Sequence, residues 1–470
     1  NGMFCFAVRD NELKKVTIVR DRVGIKPCFY SKTEEGLIFS SELRVLHQIL
    51  GKPKVSDKSL YTLFTLGYMP PPFTIFDGIA QLKPGHYLEV LDSGDLSEKA
   101  WWEFPKKTKA HNLSRAELVD KVDGLVEKAV KYRTVADVPL GSYLSGGLDS
   151  TWMSLHLQKF SSEQLKTFTL TFPGTSFDES AWAIEASDKI KTQHHERAVD
   201  PSSLEVWDKF VYYCEQPHCD ISFIPTYLVS ELAAKHVKVV LTGDGGDEIF
   251  GGYNRHKELF SLSEAAPNSQ VVALHLKQNR INSPESVLEM GLFTKDQIDL
   301  FEKDLVVYYE DLLEKYSEQD AFNRGLLLDM LTLLPGNNLV KPDRMGMAHS
   351  IEARTPLLDP SVLNFMFTLA GSEKATPEDT RILQKEILLK YFPEKFVLRE
   401  KHMLTVPITD WREEKGGDLV ADLKMDGPIL KRINSTSFDL YKKEHAENPH
   451  AYLKNLRLFN SVSLFEKQVL

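Results

Sequence analysis

Two glycine-rich segments roughly a hundred residues apart, each placed directly after a short apolar run, restrict this chain more than any other feature of it. The first, Leu144-Ser-Gly-Gly-Leu-Asp-Ser150, follows Val138-Pro-Leu-Gly-Ser-Tyr143, which reads as a buried strand, and precedes 151–160, which reads as a helix. Gly146 and Gly147 allow a tight strand-to-helix turn and let phosphate oxygens approach bare backbone N–H groups. Ser145 and Ser150 add hydroxyl donors, and the helix N-terminus adds partial positive charge. No Gly-x-x-x-x-Gly-Lys-Ser/Thr occurs, so this is not the loop that grips a transferring γ-phosphate through a lysine. Asp149 sets a carboxylate beside the expected phosphate nest, which makes electrostatic sense only with a cation between them. The second segment supplies more: Lys238-Val-Val-Leu241 reads as a buried strand running into glycine-rich chain with Asp244, Asp247 and Glu248. Two strand ends bearing carboxylates around one polyanion are what Mg²⁺ needs to neutralise a leaving pyrophosphate.

At 470 residues and 42% hydrophobic, the chain is long enough for two or three domains with real cores. A net charge of −10 argues against a nucleic-acid substrate, since phosphate backbones are bound by dense Lys and Arg. Cys5, Cys28, Cys214 and Cys219 lack metal-ligand spacing and read as reduced thiols in a cytoplasmic protein. No apolar run has the length of a membrane span, and no secretory signal opens the chain. It begins at Asn1 and runs into Met3-Phe-Cys-Phe-Ala-Val8, which looks like the middle of a sheet.

From 1 to about 104 the signals are β: 4–8, 15–20, 28–30 and 37–39 are short, β-rich and separated by turn residues, and 82–88 leads into one more strand. Residues 105–113 are polar and without apolar periodicity, the best linker candidate. Beyond them, 114–133 carries apolar residues at helical spacing. Strands at 138–144, 167–172 and 237–241 then alternate with helices, which predicts a parallel sheet covered on both faces, with ligands at the carboxyl ends of its strands. From about 257 onwards the pattern is mainly helical. Adjacent His194 and His195 on a predicted strand point to opposite faces, which favours a structural role over metal binding.

The ordered motifs resemble those of the glutamine-dependent asparagine synthetases. They comprise 137–150, Phe177-Asp-Glu-Ser-Ala181, His194-His-Glu196, Glu215-Gln-Pro217, Ile224-Pro-Thr-Tyr-Leu228, 242–253, Lys341-Pro-Asp-Arg-Met345, 351–359, and Arg399-Glu-Lys401 with Val406-Pro407 and Trp411. The resemblance implies an α/β fold: a parallel-sheet ATP-pyrophosphatase domain of the adenine nucleotide α-hydrolase type at 114–470. Asn1-Gly-Met-Phe, 20–27, Phe39-Ser-Ser-Glu42 and Pro84-Gly-His-Tyr87 resemble the latter part of the family's glutaminase domain, an N-terminal-nucleophile hydrolase whose first residue is cysteine. Residues 1–104 are therefore expected to be a β-rich remnant of that domain without its nucleophile. Cys5 cannot substitute, because the chemistry needs a cysteine whose own α-amine serves as base. An N-terminally incomplete chain is the expectation, with a natural short form that uses free ammonia as the alternative.

The implied chemistry is an ATP-dependent ligase reaction of asparagine biosynthesis: amidation of L-aspartate through β-aspartyl-AMP, releasing AMP and pyrophosphate. Glutamine donates nitrogen in the complete protein and free ammonia in this chain. The resemblance assigns pyrophosphate to Ser145, Gly146, Gly147 and Ser150, and Mg²⁺ to Asp149 and Asp247. It places the nucleoside of ATP against Tyr143, Leu144, Leu170, Thr242 and Gly243. Asp244 falls where the family carries an acidic residue linked to forming the adenylate, with a carboxylate that supports the metal ligands without touching the metal as the alternative. Lys401 is expected to stabilise negative charge in the second step. Glu352, with Arg354, is expected to be an acid–base or structural element beneath the site, and Arg344 either holds substrate or pairs with Asp343. Met403-Leu404 depart from the family's usual Gly-Phe pair, which removes a glycine's conformational freedom from that loop and leaves the charge of Lys401 in place. The competing readings are a related amidotransferase acting on a sugar or peptide acid, a tRNA-modifying enzyme, and a non-catalytic nucleotide binder. Partners are expected to be small molecules, with neither nucleic acid nor membrane, and a homodimer is left open. The purified 470-residue chain is expected to hydrolyse no glutamine; glutaminase activity in a coupled glutamate assay would overturn this.

Overall fold

The β-rich opening forms two antiparallel sheets in the computed structural model, which describes residues 1–399, 406–407, 423, 425–448 and 453–470. The strands are β1 (Cys5–Asp10), β2 (Lys15–Arg20), β3 (Phe29–Thr33), β4 (Gly36–Ser40), β5 (Ala80–Gln81), β6 (His86–Leu91) and β7 (Leu96–Ala100). One sheet has the order β1-β2-β6-β7 and the other β4-β3-β5. Helices Leu43–Ile49 and Asp57–Leu66 also lie here, which the β reading of this region did not foresee. Asp57–Leu66 is buried from Ser59 to Leu66, and its Leu60, Leu63 and Phe64 do fall at helical spacing, a short signal set among β-rich runs. At its start Ser56 accepts from the Ser59 N–H, and Gly67 closes it in the left-handed region.

Residues 105–113 hold no helix or strand, but they are tied down: the Lys109 N–H donates to the Thr368 carbonyl at 2.8 Å, and Gln319 Nε2 to the Pro105 carbonyl at 2.8 Å. Next comes helix Arg115–Tyr132, started by a capping box between Ser114 and Glu117. A five-stranded, wholly parallel sheet follows: β8 (Leu140–Tyr143), β9 (Lys166–Thr171), β10 (Gln193–Ala198), β11 (Val239–Leu241) and β12 (Glu352–Arg354). The apolar run at 138 begins its strand late, at Leu140, and leaves Val138 43% exposed.

The strand order is β10-β9-β8-β11-β12. After β8 the chain adds strands on one side, then crosses back to add β11 and β12 on the other. A crevice therefore opens between the carboxyl ends of β8 and β11, which is where such sheets bind ligands. β12 interrupts the region read as helical; at three residues it is too short to show an alternating period. Helices flank the sheet, and one apolar core runs from Val23 to Phe465. Among the described residues no helix is long and apolar enough to cross a membrane.

A buried polar network fixes the segment that enters the crevice from the C-terminal side. Lys374 is fully buried, donates to Asn323 Oδ1 at 2.6 Å, and lies 4.5 Å from the centre of the Phe367 ring. Its carbonyl accepts from the Ile382 N–H at 2.9 Å, at the start of helix Ile382–Leu389. Burial pushes the Lys374 ammonium down to about 7. The unfolded chain then binds the extra proton between about pH 7 and pH 10, so this residue's contribution to stability rises with pH across that window and is flat below it. Lys374→Met is expected to remove about 2 kcal/mol of the stability gained between about pH 7 and pH 9, read by urea unfolding of both proteins.

Candidate functional site at the β8/β11 crevice

β8 delivers Leu144 and the first glycine turn. Helix Leu148–Phe160 starts behind Gly147 without a side-chain cap, so the N–H groups of its first turn face the crevice without that competition. Gly146 has φ +78°, and a Cβ there would stand 2.7 Å from the Ala183 nitrogen, at the start of helix Ser180–Ile190. The hydroxyls of Ser145 and Ser150 lie 3.2 Å apart; Ser145 Oγ accepts from the Gly147 N–H at 3.3 Å, and Ser150 Oγ donates to the Gly147 carbonyl at 3.1 Å. These long contacts hold the rim in shape.

β11 delivers the second turn, and the two interlock. A Cβ on Gly243 would fall 2.4 Å from Asp149 Cβ and 2.9 Å from the Asp149 backbone; one on Gly246 would fall 2.0 Å from Asp149 Oδ1. Bare backbone is thus what lets the carboxylate of one turn lie inside the other. Asp149 and Asp247 then converge on one guanidinium. Arg381 Nη1 donates to Asp149 Oδ2 at 2.9 Å and Nη2 to Asp247 Oδ1, while Gln384 Nε2 donates to Asp149 Oδ1 at 2.7 Å. Burial opposes the arginine's charge, yet the two carboxylates hold it above the ordinary arginine value.

Other carboxylates crowd the same turn. Asp244 Oδ2 accepts from Thr242 Oγ1 at 2.6 Å; burial, with Asp149 and Asp247 near, pushes its carboxyl above the usual range, against the pull of Lys341. Burial and the neighbouring Asp247 push Glu248 up to about 7, and its Oε1 accepts from Tyr253 Oη and Asn338 Nδ2, each at 2.7 Å. Asn338 ends a π-helix, Asp329–Asn338, of the kind found at functional sites. Its neighbour Asn337 donates to Asp220 Oδ2 at 2.9 Å, which also accepts from Lys341 Nζ at 2.8 Å. Despite burial, Lys341 holds the Asp220 carboxyl well below the usual range. Arg344, left open in the sequence between substrate and Asp343, donates instead to the Ser41 carbonyl at 2.9 Å and lies 3.2 Å from Glu215. Asp343 pairs with Lys26 at 2.8 Å.

Tyr143, Leu144, Leu170, Thr242 and Gly243 all gather at the carboxyl ends of β8, β9 and β11. Leu144, Leu170 and Thr242 are buried there, and Tyr143 Oη lies 2.7 Å from Ser230 Oγ. Glu352 is not brought to this place. It pairs in register with Val239, at the amino end of β11, and its carboxylate accepts from Arg354 Nε at 2.7 Å. Arg354 in turn donates to the Arg133 and Val135 carbonyls at 2.8 Å, so the pair is a clamp on the chain between helix Arg115–Tyr132 and β8. Lys401, Met403 and Leu404 lie outside the described residues. Arg399 does not: its Nη2 donates to the Gly146 carbonyl at 2.7 Å, and its guanidinium stacks 4.5 Å from Trp182.

Arg381 and Gln384 were not singled out from the sequence. Arg381 occupies the left-handed region, φ +58°, at the N-cap of its helix, and no glycine or motif advertises it. The donor set suits a hard cation, since Asp149 and Asp247 bring oxygen ligands to one point that already holds positive charge. Among the described residues no group of three or more His, Cys, Asp or Glu could hold a metal unaided. Two carboxylates leave most of a Mg²⁺ shell to water and phosphate, the usual arrangement for a metal that travels with a nucleotide.

Comparison with known proteins gives two family matches: residues 121–460 match the family described as asparagine synthase, and 1–102 that described as glutamine amidotransferase domain. The chain is 28% identical over 447 residues to asparagine synthetase [glutamine-hydrolyzing] 1 of Bacillus subtilis, covering 90% of this chain and 70% of that protein. It is 36% identical over 262 residues to putative asparagine synthetase [glutamine-hydrolyzing] 2 of Methanocaldococcus jannaschii, covering 54% of this chain and 50% of that protein. Amidase chyE of Penicillium rubens is 26% identical, covering 86% of this chain and 66% of that protein.

Gly243→Ala is expected to force the two turns apart and weaken binding of a non-hydrolysable ATP analogue at least ~10-fold, about 1.4 kcal/mol, by calorimetric titration. Gly124→Ala, with open space around its Cβ, is expected to leave binding unchanged.

Proposed function

Because the chain belongs to the asparagine synthase family, we propose that its crevice amidates the side-chain carboxylate of L-aspartate to L-asparagine, at the expense of ATP cleaved between its α- and β-phosphates. The supporting observation is the meeting, at adjacent parallel strand ends, of an uncapped glycine nest with two carboxylates that share one guanidinium.

In this reading an aspartate oxygen attacks the α-phosphorus, the bond to the β-phosphate breaks, and pyrophosphate leaves. Ammonia then attacks the acyl carbon of β-aspartyl-AMP, loses a proton, and expels AMP. Aspartate and triphosphate are both anions, so fixed N–H dipoles and positive charge must screen their approach. Ser145, Gly146, Gly147 and Ser150 receive the pyrophosphate, and the buried strand ends at Tyr143, Leu144, Leu170, Thr242 and Gly243 hold the nucleoside. Asp149 and Asp247 would hold Mg²⁺, which neutralises charge on the leaving pyrophosphate. Asp244 faces the step that forms the adenylate, and Lys401 supplies positive charge in the second. The Glu352–Arg354 pair acts through the backbone it clamps.

Residues 114–470 are the ATP-pyrophosphatase unit in this proposal. Residues 1–104 belong, in this proposal, to a glutaminase domain that draws nitrogen from glutamine in a complete enzyme. A cytoplasmic setting with small-molecule partners accords with the reaction. The likeness to amidase chyE favours one second reading, the same chemistry on another carboxylate.

The test is pyrophosphate release from MgATP with ammonium chloride, comparing L-aspartate, no acid, and a panel of sugar and peptide acids. Release is expected to require aspartate, to yield asparagine by chromatography, and to fall at least ~100-fold in Asp149→Asn, about 2.7 kcal/mol of transition-state stabilisation. Release driven by another acid would replace aspartate as acceptor. No release with any acid from a chain that binds ATP would overturn the ligase reading.

A further inference from the structure

The place where Asp149 and Asp247 meet already holds a positive charge. Arg381 spans both carboxylates, one through each terminal nitrogen, and its side chain is 5% exposed. Its Nε is buried without a hydrogen-bond partner among the described residues, and its backbone adopts the left-handed conformation that disfavours a side chain. A purely structural bridge would gain by satisfying that donor and relaxing that backbone. Here both costs are borne by the residue whose charge fills the cation position.

We propose that Arg381 is a resident cation that competes with the divalent metal for Asp149 and Asp247, so that free metal is kept out and enters only with a polyphosphate. This rests on the crevice being a polyphosphate site, not on the identity of the acid. Hydrated Mg²⁺ gives up water reluctantly and gains only two protein carboxylates by displacing the guanidinium. A polyphosphate changes both sides of that exchange. Its oxygens complete the metal's shell, and they offer the released guanidinium bidentate partners as good as the carboxylates it leaves. Gln384, which donates to the other oxygen of Asp149, keeps that carboxylate turned into the crevice through the exchange.

Mn²⁺ binding to the whole chain, followed by electron paramagnetic resonance with and without inorganic pyrophosphate, tests this. Wild type is expected to bind free Mn²⁺ at least tenfold more weakly than Arg381→Gln, and to gain at least tenfold when pyrophosphate is added. Arg381→Lys, which keeps the charge, is expected to exclude free metal as wild type does. Mn²⁺ alone is expected to raise the unfolding temperature of Arg381→Gln and to leave that of wild type unchanged. Equal binding of free Mn²⁺ by wild type and Arg381→Gln, or wild-type binding that pyrophosphate does not improve, would overturn the proposal. If Arg381→Gln does not fold, the wild-type comparison decides alone. No acid and no turnover enter these titrations, so a failed aspartate assay beside the expected binding pattern would count against the acceptor only.

Discussion

Asp149 lies in a gap that only glycine backbone can leave, between Gly243 and Gly246, and the rest of the crevice is arranged around that fit. The contact locks the turn after β8 to the turn after β11, and so sets where the first helical turn, Asp247 and Asp244 stand relative to one another. It also brings negative charges together where most of their surface is shielded from water, which is unfavourable unless they are answered. Arg381 answers them. Removing one member of a buried charge set of this kind typically costs ~3–5 kcal/mol, so the arginine and the glycines are parts of one arrangement.

The layers behind the crevice hold it still. Helix Leu148–Phe160 is fastened from beneath by Asp123, whose Oδ1 lies 2.8 Å from His156 Nε2 and 3.0 Å from Trp152 Nε1, while Oδ2 accepts from Tyr391 Oη at 2.5 Å. Ser142 Oγ donates to the Leu241 carbonyl at 3.1 Å and ties β8 to β11 directly. Glu215 ties the N-terminal part to the part with the parallel sheet: its carboxylate accepts from the Leu43 N–H at 2.8 Å and from the Arg44 N–H, at the start of helix Leu43–Ile49. A preorganised polar site needs such support, because a displacement of an ångström in a donor erodes its effect on a developing charge.

What the sequence made legible was whatever has a local cause. Glycines at tight turns, apolar runs of strand length, the helical spacing of 114–133 and carboxylates just past strand ends can each be read within a few turns of chain. The helix Asp57–Leu66 escaped although Leu60, Leu63 and Phe64 keep helical spacing, because ten residues among β-rich runs offer that period for fewer than three turns. β12 escaped because it exists only by pairing with β11, more than a hundred residues upstream, and three residues show no pattern of their own. Arg381 and Gln384 escaped for the same reason at the level of the site, since their meaning lies in Asp149, over two hundred residues away. Glu352 was read as an acid–base or structural element, and a register set by pairing with Val239 is what the sequence alone does not carry: it turns the carboxylate towards Arg354, away from the strand ends.

The order in which these pieces occur along the chain has a consequence for synthesis. The turn with Asp149 emerges first, the turn with Asp247 roughly a hundred residues later, and Arg381 well over a hundred after that. At ~5–20 residues per second, a ribosome takes at least several seconds to bring out the arginine after the second aspartate. For most of that interval β11 has no β12 to cover its outer edge, and throughout it the two carboxylates lack the guanidinium they share in the folded protein. The nascent chain can therefore collapse around its apolar core long before the crevice has its final shape. Closure of the crevice is a late event, set by sequence separation and not by the strength of any one contact.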